Sequence, residues 1–183
     1  MTDWLALAKS NTSYLFDLIE KLVSIETPTR DKAANDEISS FTANTMRSIE
    51  GEVTVHPETE FGDHITIDWP APDGSNDKQH AFIVGHLDTV WPHGTLKRMG
   101  YSKRKGRLYG PGVLDMKAGI ATTIVGLQVL KRNNLWPNRP VKVLFNTDEE
   151  VGSPSSRPLV ERYAKGAAYA LIMEPGQGSN GAL

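Results

Sequence analysis

The chain has 183 residues and a formal net charge of −2, from 20 Lys plus Arg and 22 Asp plus Glu. This length is enough for one domain with its own hydrophobic core. The nearly balanced charge argues against a nucleic acid or an anionic membrane as the main partner. The chain contains no cysteine, which excludes disulfides, thiolate metal sites and cysteine nucleophiles.

No targeting segment is evident in the sequence. The first thirty residues show acidic residues and a helical period, instead of a basic start followed by an unbroken apolar run. We find no secretory signal and no apolar stretch that we expect to cross a bilayer. The expected compartment is therefore the cytoplasm.

Two amphipathic helices and two strands are predicted in the first seventy residues. Residues 14–25 and 31–49 repeat apolar side chains at helical spacing, and Pro28 separates the two segments. Apolar and polar residues then alternate over 53–55 and 65–69, which predicts two strands.

From residue 81 onward, apolar strand segments alternate with helical segments. The predicted strands cover 81–85, 141–146 and 168–173, and the predicted helices between them cover 115–134 and 154–165. This order predicts an α/β domain with a mostly parallel central sheet and helices on both faces.

Side chains that can bind a metal follow each of these three strands. His86 and Asp88 follow the first, the acidic run 148–150 follows the second, and Glu174 ends the third, while Asp115 stands where a helix is predicted to start. The carboxyl ends of parallel strands are the edge of a sheet where ligands bind. One imidazole and several carboxylates form a donor set for zinc or a similar divalent ion.

Each of these segments also has a plainer interpretation. His86 can be a buried histidine satisfied by backbone, Asp115 can cap a helix, residues 148–150 can form an exposed acidic turn, and Glu174 can be a solvated strand end. Against this, residues two apart in an extended segment point to the same side, so Asp88 can fix the tautomer of His86. The joint occurrence at one sheet edge favours a two-metal hydrolytic site.

Four blocks of the sequence resemble the co-catalytic zinc metallopeptidases. The blocks are residues 85–92 (GHLDTVWP), 110–119 (GPGVLDMKAG), 148–153 (DEEVGS) and 174–176 (EPG). That family includes glutamate carboxypeptidase (carboxypeptidase G), acetylornithine deacetylase, succinyl-diaminopimelate desuccinylase and aminoacylase. The form of the first block is most similar to the glutamate carboxypeptidase branch.

The resemblance implies a role for each matching residue. The implied zinc ligands are His86, Asp115, Glu150 and Glu174. Asp115 would bridge two zinc ions, with His86 and Glu174 on one and Glu150 on the other. Glu149 would be the general base, and Asp88 would orient His86.

The implied activity is zinc-dependent cleavage of the amide bond in small peptides or N-acyl amino acids, by a water that two metals activate. The oxygen-rich ligand set also suits Co²⁺ or Mn²⁺. A Glu at position 174, where aminopeptidase-type relatives tend to have Asp, favours the carboxypeptidase and deacylase side of the family. A C-terminal glutamate is therefore among the expected substrate features.

The chain departs from the family pattern after Glu174. Relatives are about twice as long, and they carry a lid or dimerisation domain and a final His ligand after that position. The five histidines here, at positions 56, 64, 80, 86 and 93, all precede Glu174. We therefore expect residues 1–183 to form the N-terminal portion of a single catalytic domain, with an exposed sheet edge that pairs with another chain or forms a homodimer. The alternative is a truncated, catalytically silent metal-binding or interaction module.

Overall fold

The computed structural model describes residues 2–75 and 79–176, so the last seven positions of the expected domain lie outside the described residues. The helices are α1 (Trp4–Ser10), α2 (Thr12–Ser24), α3 (Lys32–Arg47), α4 (Thr95–Met99), α5 (Ala118–Arg132) and α6 (Arg157–Ala164). The strands are β1 (Glu52–His56), β2 (His64–Trp69), β3 (His80–His86), β4 (Ser102–Arg104), β5 (Arg107–Tyr109), β6 (Val141–Asn146) and β7 (Ala167–Ile172). Two helices, α1 and α4, lie outside the segments for which we predicted helices.

Five strands form the central sheet in the order β1-β2-β6-β3-β7. Strands β6, β3 and β7 are adjacent and parallel, which confirms the prediction for the chain from residue 81 onward. Strand β2 runs antiparallel to both of its neighbours, so the whole sheet is mixed. Strands β4 and β5 form a separate hairpin.

Helices cover both faces of the sheet, as predicted. On one face, Ile67, Ile83 and Val143 belong to a buried apolar cluster to which α2, α3 and α5 also contribute. On the other face, α6 lies against the sheet, and the ring of Tyr163 stacks on that of Phe82 with centroids 6.1 Å apart. Helices thus pack on both faces of the sheet, and the carboxyl ends of its parallel strands lie at one edge.

Two predicted helix starts are wrong. The long helix α5 begins at Ala118 instead of Asp115, and Asp115 has extended backbone angles (φ −116°, ψ 100°) within the irregular turn Val113–Lys117. Helix α6 begins at Arg157 instead of Pro154. In both cases the residues before the helix have other partners. The carboxylate of Asp115 lies 3.0 Å from Nε2 of His86, and the N–H groups of Ser155 and Ser156 donate to Asp148.

The segment Val113–Arg132 is, by length and composition, apolar enough to cross a membrane, contrary to the expectation from the sequence. More than half of it is buried inside the fold. Ile120 and Ile124 are fully buried in the central cluster. The same apolar composition is typical of a core helix that packs against a sheet and a second helix.

Candidate metal centre

Five acidic or imidazole side chains converge at the carboxyl edge of the parallel strands. His86 ends β3, and its Nε2 lies 3.0 Å from Asp115 Oδ1, 3.0 Å from Glu174 Oε1 and 3.8 Å from Glu149 Oε2. Donor atoms of His86, Asp115 and Glu150 lie within 4.8 Å of one another, and so do those of His86, Glu149 and Glu174. These two groups share His86 and form one cluster.

Asp88 holds the ring of His86 from the side away from the cluster. The Nδ1 of His86 lies 3.0 Å from the backbone oxygen of Asp88 and 3.3 Å from its Oδ1. Both residues are buried. A proton on Nδ1 donates to Asp88, which leaves Nε2 directed at the carboxylates. This is the arrangement in which a carboxylate fixes the tautomer of a metal-binding histidine.

The backbone of the acidic turn is also bound to Asp88. The N–H of Glu149 donates to Oδ1 of Asp88 and that of Glu150 donates to Oδ2, both at 3.3 Å. The side chains of Glu149 and Glu150 project from a single 3₁₀ turn toward the cluster. One carboxylate therefore positions both the imidazole and the two acids opposite it.

Asp115 reaches the cluster because the chain turns sharply before α5. Gly112 has φ +68°, and a Cβ at this position would stand 2.8 Å from Cγ2 of Thr89. The N–H of Lys117 then donates to the carbonyl of Gly112 at 2.9 Å. Between these two residues the chain bulges outward, and the side chain of Asp115 remains 54% exposed. Its carboxylate is thus available to a ligand instead of capping the helix.

The position of Glu174 depends on a close approach between the backbone that follows β7 and helix α5. A Cβ on Gly119 in α5 would lie only 2.3 Å from the carbonyl oxygen of Met173. The N–H of Met173 donates to the carbonyl of Val84 at 3.1 Å, which continues the pairing of β7 with β3. Glu174 follows directly and therefore lies beside His86 at the end of the neighbouring strand.

The three consecutive acids do not have equivalent environments. Asp148 is buried, and its carboxylate accepts four hydrogen bonds from the N–H and hydroxyl groups of Ser155 and Ser156, at 2.6–3.0 Å. Burial raises the pKa of Asp148, but these hydrogen bonds outweigh burial and leave it lowered. The interpretation of residues 148–150 as an exposed acidic turn is therefore wrong for Asp148, which anchors the turn.

His64 completes this buried support and was not anticipated as a site residue. Its Nδ1 accepts the N–H of Thr147 at 3.2 Å, and its Nε2 lies 2.9 Å from Oγ of Ser155. The hydroxyl of Ser155 donates to Asp148. The sequence signal for this buried support is the pair Ser155 and Ser156, which stand seven and eight positions after Asp148, an acid that follows an apolar strand.

Burial, together with the charges of neighbouring acids, controls the protonation of the cluster. Burial raises the pKa of Glu150 to about 7, with the charge of Asp115 acting in the same direction. Burial likewise raises the pKa of Glu149. Burial alone would lower the pKa of His86, but Asp88 and Glu174 outweigh it and raise it to about 11. Glu149 and Glu150 thus resist ionisation beside a protonated histidine, and a divalent cation would favour their ionised form.

All six side chains predicted for the site are brought together by the fold. They are His86, Asp88, Asp115, Glu149, Glu150 and Glu174. A nitrogen and several carboxylates at the carboxyl ends of adjacent parallel strands are typical of metal-dependent hydrolases with an α/β catalytic domain.

Comparison with known proteins also indicates a metal-dependent hydrolase. Residues 82–183 match the model of peptidase family M20/M25/M40. Over 159 residues the chain is 34% identical to carboxypeptidase G2 of Pseudomonas sp. (strain RS-16), covering 86% of this chain and 37% of that protein. It is 36% identical over 102 residues to succinyl-diaminopimelate desuccinylase of Verminephrobacter eiseniae, covering 51% of this chain and 25% of that protein. The chain belongs to peptidase family M20/M25/M40, a family of metal-dependent hydrolases.

Solved structures share the fold. Human carnosine dipeptidase 1 superimposes with a TM-score of 0.78 at 18% identity, over 92% of this chain and 40% of that chain. The M20 family metallo-carboxypeptidase Sso-CP2 of Sulfolobus solfataricus gives a TM-score of 0.72 at 19% identity, over 91% and 38%. The present chain thus spans about two fifths of the length of these relatives.

Proposed function

We propose that residues 1–183 form the N-terminal, metal-binding portion of a catalytic domain that hydrolyses the amide bond of small peptides or N-acyl amino acids. The observation that carries this proposal is the position of His86 Nε2, 3.0 Å from oxygens of both Asp115 and Glu174. These residues come from three separate elements and meet at the edge where the fold binds ligands.

The proposed metal is zinc, with two ions in each complete site. His86 and Glu174 would hold one ion, Glu150 would hold the other, and Asp115 would bridge them. When bound, the metals polarise the scissile carbonyl and lower the pKa of a water. The donor set of one nitrogen and several carboxylates fits zinc, and it also accepts Co²⁺ or Mn²⁺.

Glu149 is the proposed general base. Its carboxylate lies 3.8 Å from His86 Nε2, further out than those of Asp115 and Glu174 at 3.0 Å. It is 48% exposed, and burial raises its pKa, which is the direction that suits a general base. Glu149 takes a proton from the attacking water and passes it to the leaving amine.

The proposed substrate class follows the relatives. Similarity to carboxypeptidase G2 supports a peptide or N-acyl amino acid with a free carboxylate, with C-terminal glutamate as the first candidate. Similarity to succinyl-diaminopimelate desuccinylase supports deacylation of an N-acyl amino acid as the same reaction on a second kind of substrate.

The test is a Glu149→Gln substitution in the protein that carries this chain. With zinc present, we expect hydrolysis of peptides with C-terminal glutamate to fall by about 10²–10⁴-fold, while zinc content stays at the wild-type level. Glu161→Gln, on the exposed surface of α6, is the matched control. Retained turnover would exclude Glu149 as the base, and loss of zinc would make it a ligand instead.

A second candidate is a catalytically silent metal-binding or interaction module. The exposed apolar side chains of β7, with Leu171 47% and Ile172 68% exposed, favour it because they offer a surface for another chain. One weakly held ion without turnover would support this module, whereas two tightly held ions with turnover would support the hydrolase. The cytoplasmic compartment and the homodimer stay predictions.

A further inference from the structure

The linker between α2 and α3 lies directly against the loop that follows β3. We define the linker as residues 25–31. The N–H of Thr89 donates to the carbonyl of Thr27 at 2.8 Å, and Oγ1 of Thr27 donates to the carbonyl of Leu87 at 2.8 Å. The N–H of Thr29 donates to the carbonyl of Thr89 at 3.3 Å. The two segments therefore run side by side along the edge that carries the cluster.

Contacts to the first residues of the linker hold it in place. The carboxylate of Glu26 accepts the N–H groups of Gly94 at 2.8 Å and Leu96 at 2.7 Å. The buried ammonium of Lys117 donates to the carbonyl of Ile25 at 2.5 Å. These bonds join the linker to the loop after β3 and to the turn before α5, so its side chains have fixed positions.

Thr29 uses this position to bind the carboxylate of Asp88. Thr29 is 7% exposed, and its Oγ1 donates to Asp88 Oδ2 at 2.8 Å. The other contacts to this carboxylate, from Nδ1 of His86 and the N–H groups of Glu149 and Glu150, are all 3.3 Å long. The Thr29 hydroxyl therefore makes the shortest of these contacts and sets the rotation of the carboxylate.

We propose that Thr29 is a positioning residue for the metal centre. By holding Oδ2 of Asp88, it directs Oδ1 at His86 and keeps both oxygens in reach of the backbone N–H groups of Glu149 and Glu150. The expected effect of Thr29 on metal binding rests on the proposed function. Its effect on the backbone of Glu149 and Glu150 in the metal-free protein does not. Thr29 is not among the side chains that could hold a metal, and it acts through Asp88.

The first measurement is zinc affinity, by competition with a chromophoric chelator. Thr29→Val removes the hydroxyl and keeps the shape of the side chain, and we expect it to weaken zinc binding by about 10–100-fold. Thr29→Ser restores the hydroxyl and the wild-type affinity. Thr27→Val is the matched control, because Thr27 is an equally buried threonine of the same linker whose hydroxyl binds only a backbone carbonyl. We expect it to leave zinc affinity unchanged.

The second measurement is amide hydrogen exchange in the metal-free protein. Without the Thr29 hydroxyl, the N–H groups of Glu149 and Glu150 exchange faster, whereas Thr27→Val leaves them protected. Where the valine variant does not fold, Thr29→Ala gives the same comparison with a smaller side chain. Wild-type zinc affinity in the Thr29→Val protein, or an equal loss in Thr27→Val, would overturn the proposal. If the wild-type chain binds no zinc but the exchange difference is present, the proposed function fails and the positioning role stands.

Discussion

Neighbouring acidic residues have different environments and different roles at this site. Asp148, Glu149 and Glu150 are consecutive acids, yet Asp148 is enclosed by two serines while the two glutamates project toward the cluster. The sequence alone predicted an acidic group at the end of β6, but it did not distinguish the anchor from the functional groups. The difference arises because Ser155 and Ser156 fold back on Asp148 before α6 begins.

The buried His64 predicts a pH dependence of stability. Burial lowers its pKa from the ordinary value of 6.5, against the charges of Asp148 and Glu58. Below about pH 6.5 the unfolded chain takes up a proton on His64 that the folded protein does not, so the contribution of His64 to stability falls as the pH falls, by up to about 1.4 kcal/mol per pH unit. We expect His64→Gln to flatten this slope in urea unfolding between pH 7 and 5. An unchanged slope would contradict it, and His93→Gln is the control because the side chain of His93 is 54% exposed.

The raised pKa values of the cluster predict proton release on metal binding. At pH 7 the metal-free site keeps a proton on His86, whose pKa is about 11, and part of one on Glu150, whose pKa is about 7. Zinc needs both groups deprotonated, so binding releases between one and two protons and strengthens as pH rises. Titration calorimetry in buffers of different ionisation enthalpy measures this number. Binding without proton release would show that these groups are not ligands.

At the scale of elements, the helix boundaries near the site were the least predictable. The apolar period correctly located α5, but the start of the helix shifted from Asp115 to Ala118. Periodicity describes only which side of a helix faces the core. It contains no information about the turn before the helix, which is determined by the positive φ of Gly112 and by the contact of the turn with Thr89.

Gly119 provides a test of how α5 and β7 position Glu174. A Cβ at Gly119 meets the carbonyl oxygen of Met173 at 2.3 Å, so Gly119→Ala must displace the backbone next to Glu174. We expect a loss of about 1–3 kcal/mol in unfolding free energy, together with weaker zinc binding. Gly126→Ala in the same helix has open space around its Cβ and should stabilise by about 0.5–1 kcal/mol. Equal effects of the two substitutions would contradict this account.

At the scale of the whole molecule, the two edges of the sheet differ in character. Strand β1 alternates polar residues with two valines, of which Val55 is 42% exposed, whereas β7 exposes Tyr169, Leu171 and Ile172. Among the described residues no strand lies beyond β7, so β7 is where the expected pairing with another chain would occur, and the pairing itself stays a prediction. An apolar edge strand with unpaired backbone groups is a surface for pairing with another chain.

This difference predicts self-association through β7. Ile172→Lys places a charge on the exposed edge and should shift the chain toward the monomer in sedimentation velocity experiments, with little change in stability. Thr54→Lys is the matched control, because Thr54 lies in the same cross-strand row at the opposite, polar edge. Association that both variants retain would show that β7 is not the contact.

The sequence by itself determined the class of fold, and it predicted six site residues that the fold brings together. Alternating apolar segments encode the order of strands and helices, and the carboxyl ends of parallel strands meet at one edge whatever the details of packing. Only the tertiary structure decided which acid is an anchor, where α5 begins and that Thr29 holds Asp88. Thr29 and Asp88 are 59 positions apart, and a hydrogen bond over that separation depends on how two loops pack, which no local pattern records.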